Sequence, residues 1–145
     1  VEADEVPQVR VTTGGLMVPV EGQPLMPLGQ RIIEVPEDSH RMEVLRDPRS
    51  GFVTYVPVGS LAKGEDLVTT GAGKTIQCGL CHGSGMRGLG DIPGIAGRTA
   101  SYTMRQLWDI KQGTRKSPGV MEPVVQNLTS EDMLNIVAYL ASLPP

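Results

Sequence analysis

Both cysteines of the chain lie in one pentapeptide, Cys78-Gly79-Leu80-Cys81-His82. Two thiols three positions apart can each add to a vinyl group of haem and form a thioether. The adjacent imidazole then lies beneath the iron as an axial ligand, which is the chemistry of C-x-x-C-H attachment. Three other uses of these residues fit less well. A Cys78–Cys81 disulfide would close a very small loop and stabilise little. A thioredoxin-like C-x-x-C needs a βαβ context, and no such alternation surrounds this one. A structural zinc needs four ligands, whereas the chain offers only Cys78, Cys81, His82 and the distant His40. Neighbouring Cys81 and His82 would also have to share one tetrahedron.

Given haem, function turns on the second axial position. Met121 is the favoured donor. It sits in the loop Lys116-Ser-Pro-Gly-Val-Met-Glu-Pro, where Pro118 and Pro123 would stiffen the backbone that brings a thioether across the cofactor. Methionine makes the iron six-coordinate and raises its potential relative to a second histidine. Met104 and Met133 fall on apolar helix faces, where packing is their expected role. Met86 is too near His82 to reach the opposite side. Met17, Met26 and Met42 lie in the N-terminal segment, with nothing to single them out. His40 would give a bis-histidine haem, but a lone histidine in an acidic segment reads as a surface residue.

The elements that must position these groups occupy the second part of the chain. Ser60 is placed to cap a helix carrying Leu61, Leu67 and Val68 and stopping before Gly71. A second short helix, started by Thr75, carries the cysteine motif. A third runs from about Thr99 to Lys111, with Met104, Leu107 and Trp108 on one side and Gly113 as its stop. The last is the clearest: Thr129 caps it, Asp132 completes a capping box, and Met133, Ile136, Val137 and Leu140 form an apolar stripe. Gly64, midway along the first helix, invites close crossing by this last one, at Tyr139. The fold class expected for residues 60–145 is all-α, three to four short helices around the haem.

Residues 1–59 differ. Pro7, Pro19, Pro24, Pro27, Pro36, Pro48 and Pro57 exclude a long helix. Extended runs stand at Val9-Arg-Val-Thr-Thr, Gln30-Arg-Ile-Ile-Glu-Val and Phe52-Val-Thr-Tyr-Val. The expectation is an extended arm wrapping the haem domain, with one short β-ribbon and too few core residues to fold alone.

At 145 residues the chain is one ordinary domain, or a small domain with an extension. Aromatics make up only 3% of it, so a buried porphyrin, or aliphatic packing, must supply the missing bulk. No stretch approaches the roughly 20 apolar residues of a membrane span. Val1 stands where an initiator methionine would, so either a leader or anchor was removed or this is a piece of something longer. The net charge of −3 is uneven: −4 over residues 1–59 and +1 over residues 60–145. Arg87, Arg98, Arg105, Lys111, Arg115 and Lys116 form a cluster that could steer an acidic partner or simply be a solvated face. An acidic chain with few aromatics does not point to nucleic acid.

Two motifs mislead. Gly83-Ser-Gly85-Met-Arg-Gly88 spells G-x-G-x-x-G, but it follows the cysteine motif instead of joining a strand to a helix. Its glycines suggest a backbone passing close to a flat cofactor. Gly73-Lys74-Thr75 resembles the end of a P-loop, yet its first required glycine is Val68.

Taken together, Cys78-Gly-Leu-Cys81-His82, Gly88-Leu-Gly-Asp-Ile-Pro93-Gly-Ile-Ala-Gly97-Arg98, Tyr102-Thr-Met-Arg-Gln106-Leu and Met121-Glu-Pro123 ahead of Leu128-Thr-Ser-Glu-Asp132 resemble the class I cytochromes c. The similarity is greatest to the C-terminal haem domain of small bacterial dihaem cytochromes c, and covers about residues 60–145. It implies haem c with His82 and Met121 as axial ligands and the Pro93 carbonyl accepting from the His82 ring. It also implies that Arg98, Tyr102 and Gln106 lie near the propionates; Tyr102 and Gln106 are i, i+4 neighbours on one helix face. A dihaem protein has two C-x-x-C-H motifs and this chain has one.

The reading that follows is an electron carrier with no catalysis of its own, exchanging single electrons with a donor and an acceptor protein in the periplasm or another exported location. Association with a membrane redox complex is compatible with it. The alternatives are the haem domain of a larger redox complex or dihaem protein, and a haem enzyme or gas sensor with an open sixth site.

Overall fold

The prolines scattered through the first 58 residues leave room only for short elements. The computed structural model, which describes residues 1–117 and 119–145, divides into two units, residues 1–58 and 59–145. In the first, β1 (Glu5–Val6) pairs antiparallel with β4 (Met26–Pro27), and β2 (Val9–Val11) with β3 (Met17–Pro19). A third ladder joins β5 (Ile33–Pro36) to β6 (Phe52–Tyr55), with Ile33 opposite Tyr55. Between β5 and β6 lies a one-turn helix, α1 (Ser39–Glu43), capped by Asp38, whose carboxylate accepts from the Arg41 N–H at 2.9 Å.

The extended runs legible in the sequence fall on β2, β5 and β6. The single ribbon expected becomes three ladders because β1, β3 and β4 span two or three residues, too few for alternation to show. The segment is also less poor in core than expected. Ile33 and Val35, two apart on β5, turn inward with Val6 and Leu28 and form a small buried cluster.

The second unit contains α2 (Ser60–Thr70), α3 (Gly79–His82), the ladder of β7 (Gly88–Leu89) with β8 (Ile92–Pro93), α4 (Ala100–Lys111), α5 (Met121–Val125) and α6 (Ser130–Ser142). The N-cap of α2 is Gly59, and Ser60 is its first helical residue, not its cap. Thr129 caps α6 as the sequence indicates. Its hydroxyl accepts from the Asp132 N–H at 3.1 Å, and the Asp132 carboxylate accepts from the Thr129 N–H at 2.9 Å. Met133, Ile136, Val137 and Leu140 are all buried.

α2 and α6 pack against each other, and Gly64 is the reason they can. A Cβ there would lie 2.0 Å from the Asn135 carbonyl oxygen and 2.8 Å from the Tyr139 Cβ. On α4 the buried stripe is Ala100, Thr103 and Ile110, with Met104 and Leu107 packed against the core. Trp108, one position past Leu107, is turned about 100° away and is 44% exposed, contrary to the side expected for it.

Candidate haem site

The cysteine motif occupies a short helix. α3 begins after Cys78, and Thr75 does not start it: the Thr75 hydroxyl donates to the Val124 carbonyl at 2.6 Å instead. The Cys78 N–H bonds to the Val68 carbonyl at 3.0 Å, which anchors the motif to α2. Beyond His82 the chain turns sharply at Gly83, where a Cβ would meet the Gly88 carbonyl oxygen at 2.5 Å. This glycine serves backbone-on-backbone packing.

That packing places the β7–β8 hairpin beside His82. The Pro93 carbonyl lies 2.7 Å from His82 Nδ1. A carbonyl can only accept, so Nδ1 carries the proton and Nε2 keeps the lone pair that a metal requires. Arg98 braces the same loop, its Nε donating to the Gly94 carbonyl at 2.6 Å.

Cys78, Cys81, His82, Pro93, Arg98, Tyr102, Gln106 and Met121 all line one cavity of about 530 Å³. These are the residues that the sequence singles out. That volume suits a cofactor-sized guest. Ile95, Leu107, Ile110, Leu128, Ile136 and Leu140 supply an apolar wall, so the stripe on α6 faces the cavity as well as the core. Met133 is buried in the core cluster and Met104 packs against it, as expected for filling residues, and Met86 is buried in the same cluster. His40 is exposed on α1, in the first unit.

Two features of the cavity test whether its residues fit a haem. Burial pushes the Cys78 thiol up to about 11, so this environment favours an uncharged sulfur. A thioether, which carries no charge, meets that condition. Among the described residues the Gln106 Oε1 is buried with no hydrogen-bond partner, a costly state that turning the amide over relieves by aiming its NH2 at an acceptor of a bound molecule. An apolar slot with two cysteines, an oriented imidazole and one unanswered amide on its wall fits the cofactor.

Met121 is the first residue of α5 and half-buried. Its N–H donates to Ser117 Oγ at 3.3 Å, and that hydroxyl donates to the Glu122 carboxylate at 2.8 Å. The Ser117 N–H reaches the other carboxylate oxygen at 3.2 Å. The Ser117 hydroxyl, with the nearby backbone N–H groups, holds the Glu122 carboxyl below the usual range. Pro118 lies outside the described residues. Pro123 is the third residue of α5, where a missing N–H costs no helical bond.

At the other end of α5, Lys111 Nζ donates to the Gln126 carbonyl at 3.0 Å and to the Leu128 carbonyl. Lys111 is thus engaged within the fold, whereas exposed Arg115 and Lys116 stand at the cavity wall. Sequence reasoning missed Thr75, Ser117 and Glu122 as parts of the site. Their pairings show only once the loops are folded, and no spacing rule points to them.

A profile of the family described as cytochrome c matches residues 61–144. Cytochrome c-554(548) of Halomonas halodenitrificans is 34% identical over 87 residues, which cover 58% of this chain and 96% of that protein. A protein of Stutzerimonas stutzeri named thiosulfate dehydrogenase electron acceptor is 32% identical over 87 residues, covering 57% of this chain and 40% of that one. Among solved structures, cytochrome c4 of Acidithiobacillus ferrooxidans aligns with a TM-score of 0.55 at 31% identity, over 59% of this chain and 50% of that one. The chain thus spans half or less of the second and third of these proteins and nearly all of the first. Among the described residues, no helix is long and apolar enough to cross a membrane. With the helices of a class I fold, and with Cys78 and Cys81 at the attachment positions, the chain belongs to the cytochrome c family and binds haem c covalently.

Proposed function

We propose that this protein transfers single electrons between redox proteins, with thioethers from Cys78 and Cys81 and axial ligands from His82 and Met121. When bound, the haem supplies a one-electron couple whose potential follows from its ligands, burial and surrounding hydrogen bonds. The chain's own residues hold it in place. The Pro93 carbonyl keeps the proton on His82 Nδ1 and makes the opposite nitrogen the donor. α5 presents the Met121 thioether to the same cavity. Arg98, Tyr102 and Gln106 line the part of the wall assigned to the propionates, and the Gln106 amide, turned over, would offer its NH2 to one.

The observation that carries this reading is that His82 and Met121, 39 positions apart, line one apolar cavity with the two cysteines. Two protein ligands leave no open site for substrate, which suits outer-sphere transfer. The Stutzerimonas relative named as an electron acceptor agrees with a carrier role. Covalent haem attachment of this kind takes place on the outer side of the bacterial inner membrane, so the proposed location is the periplasm or an equivalent exported one. Partners are a donor and an acceptor redox protein, free or part of a membrane complex. Met121→Ala tests the ligand set. It is expected to abolish the sulfur-to-iron charge-transfer band of the ferric protein, lower the potential and admit carbon monoxide to the ferrous form. An unchanged band and potential would exclude Met121.

A further inference from the structure

Five residues are too few for α5 to persist on its own backbone bonds. Its last carbonyls must also find partners outside it. The Leu128 N–H, which would continue the helix to Val124, bonds to the Val125 carbonyl at 3.2 Å instead. The Val124 carbonyl is taken by Thr75 Oγ1 at 2.6 Å, across 49 positions of chain. Lys111 takes the carbonyls of Gln126 and Leu128.

These two fastenings join α5 to different things. Lys111 ends α4. Thr75 lies three residues before Cys78, and its own N–H is tied to the Gly71 carbonyl at 3.0 Å. Both Thr75 and Val124 line the cavity. The Thr75 hydroxyl therefore spans from the segment that carries Cys78 and His82 to the helix that carries Met121.

We infer that Thr75 is a positioning residue for the Met121 sulfur, its hydroxyl strapping α5 to the haem-attachment segment and setting how firmly the thioether stays on iron. The inference rests on the proposed role of Met121. The Ser117–Glu122 clasp holds the start of α5, and the Thr75 strap holds its end against the other side of the cavity. Removing the strap leaves a carbonyl without its donor and frees α5 to move away from the haem. Overall packing, which depends on α2, α4 and α6, should change little.

The test uses the full chain with haem attached. Thr75→Val removes the donor at nearly constant shape, Thr75→Ala removes it with less bulk, and Thr75→Ser retains it. The readouts are the ferric sulfur-to-iron band, the temperature at which it bleaches, the temperature at which helical circular dichroism is lost, and the rate of carbon monoxide binding to the ferrous form. In T75V, or in T75A if T75V does not take up haem, the band is expected to bleach well before helix is lost. Carbon monoxide should bind about tenfold faster, as expected when a part-buried carbonyl loses its donor, and T75S should match the parent.

A band and a helix signal that shift together would assign Thr75 a purely structural role and overturn the inference. So would donor-less variants that match the parent while M121A loses the band; in that case the ligand reading survives and the strap does not. If M121A keeps the band, the ligand reading fails and the inference falls with it.

Discussion

The hydrogen bond between His82 and the Pro93 carbonyl shows how one contact can set chemistry. It orients the ring and selects the tautomer, and it leaves Nε2 the more basic nitrogen, the one able to ligate a metal. Asp132 is a second residue defined by its partners. Desolvation pushes its carboxyl up, but the Lys74 ammonium at 2.7 Å and the Thr129 N–H and hydroxyl outweigh it and hold the carboxyl below its ordinary value. A group with a depressed folded pKa stabilises the fold above its unfolded value and loses that contribution as pH falls through the folded one. Asp132→Ala should therefore cost about 1 kcal/mol at neutral pH. The gap between variant and parent should close below about pH 4. Urea unfolding of both proteins across that range checks it, and a gap independent of pH would show that the carboxylate charge is not its source.

At the scale of elements, the α2–α6 crossing carries the unit. A helix-interior glycine is ordinarily a weakness, and alanine there would gain about 1 kcal/mol of propensity. Here the added methyl would meet the Asn135 backbone at 2.0 Å, which no side-chain rotation relieves. The clash outweighs the propensity gain. Gly64→Ala is expected to destabilise by about 2 kcal/mol or more net, read as a lower denaturant midpoint. Because α6 also supplies Ile136 and Leu140 to the cavity wall, the same variant should disturb the haem spectrum before it unfolds. α5 is the opposite case. It is too short to be an independent element, and its place is decided by Ser117, Glu122, Lys111 and Thr75.

At the scale of the whole molecule, the buried apolar side chains form two clusters, one in each unit. One gathers Val6, Leu28, Ile33 and Val35, and the other Leu67, Val68, Val125, Leu128, Met133, Ile136 and Leu140. Every residue of the cavity wall belongs to residues 59–145. A chain of residues 59–145 is therefore expected to take up haem and give the parent's low-spin spectrum. Failure to mature would make residues 1–58 necessary to the fold of the haem unit. Loss of electron exchange with one redox partner, with the spectrum kept, would assign the first unit to docking.

The sequence alone determined the attachment chemistry, because Cys78, Cys81 and His82 are adjacent and their spacing is the motif. It also determined α6, whose cap and apolar stripe are local and mutually consistent. The close crossing at Gly64 was legible too, since a mid-helix glycine weakens its own helix and is compensated where two backbones must approach. Tertiary structure decided what depends on segments far apart in the chain. The Thr75 hydroxyl looks like a helix start until Val124 is beside it. The side of α4 on which Trp108 falls depends on which stripe the core accepts, and the backbone that the Gly83 turn packs against is that of Gly88, five residues on. The β1–β4 and β2–β3 ladders of the first unit stay hidden because strands of two or three residues are held by pairing with distant partners and not by their own pattern. Local chemistry and periodicity are written along the chain; the partner of a lone hydroxyl, carbonyl or short strand exists only after the chain has folded.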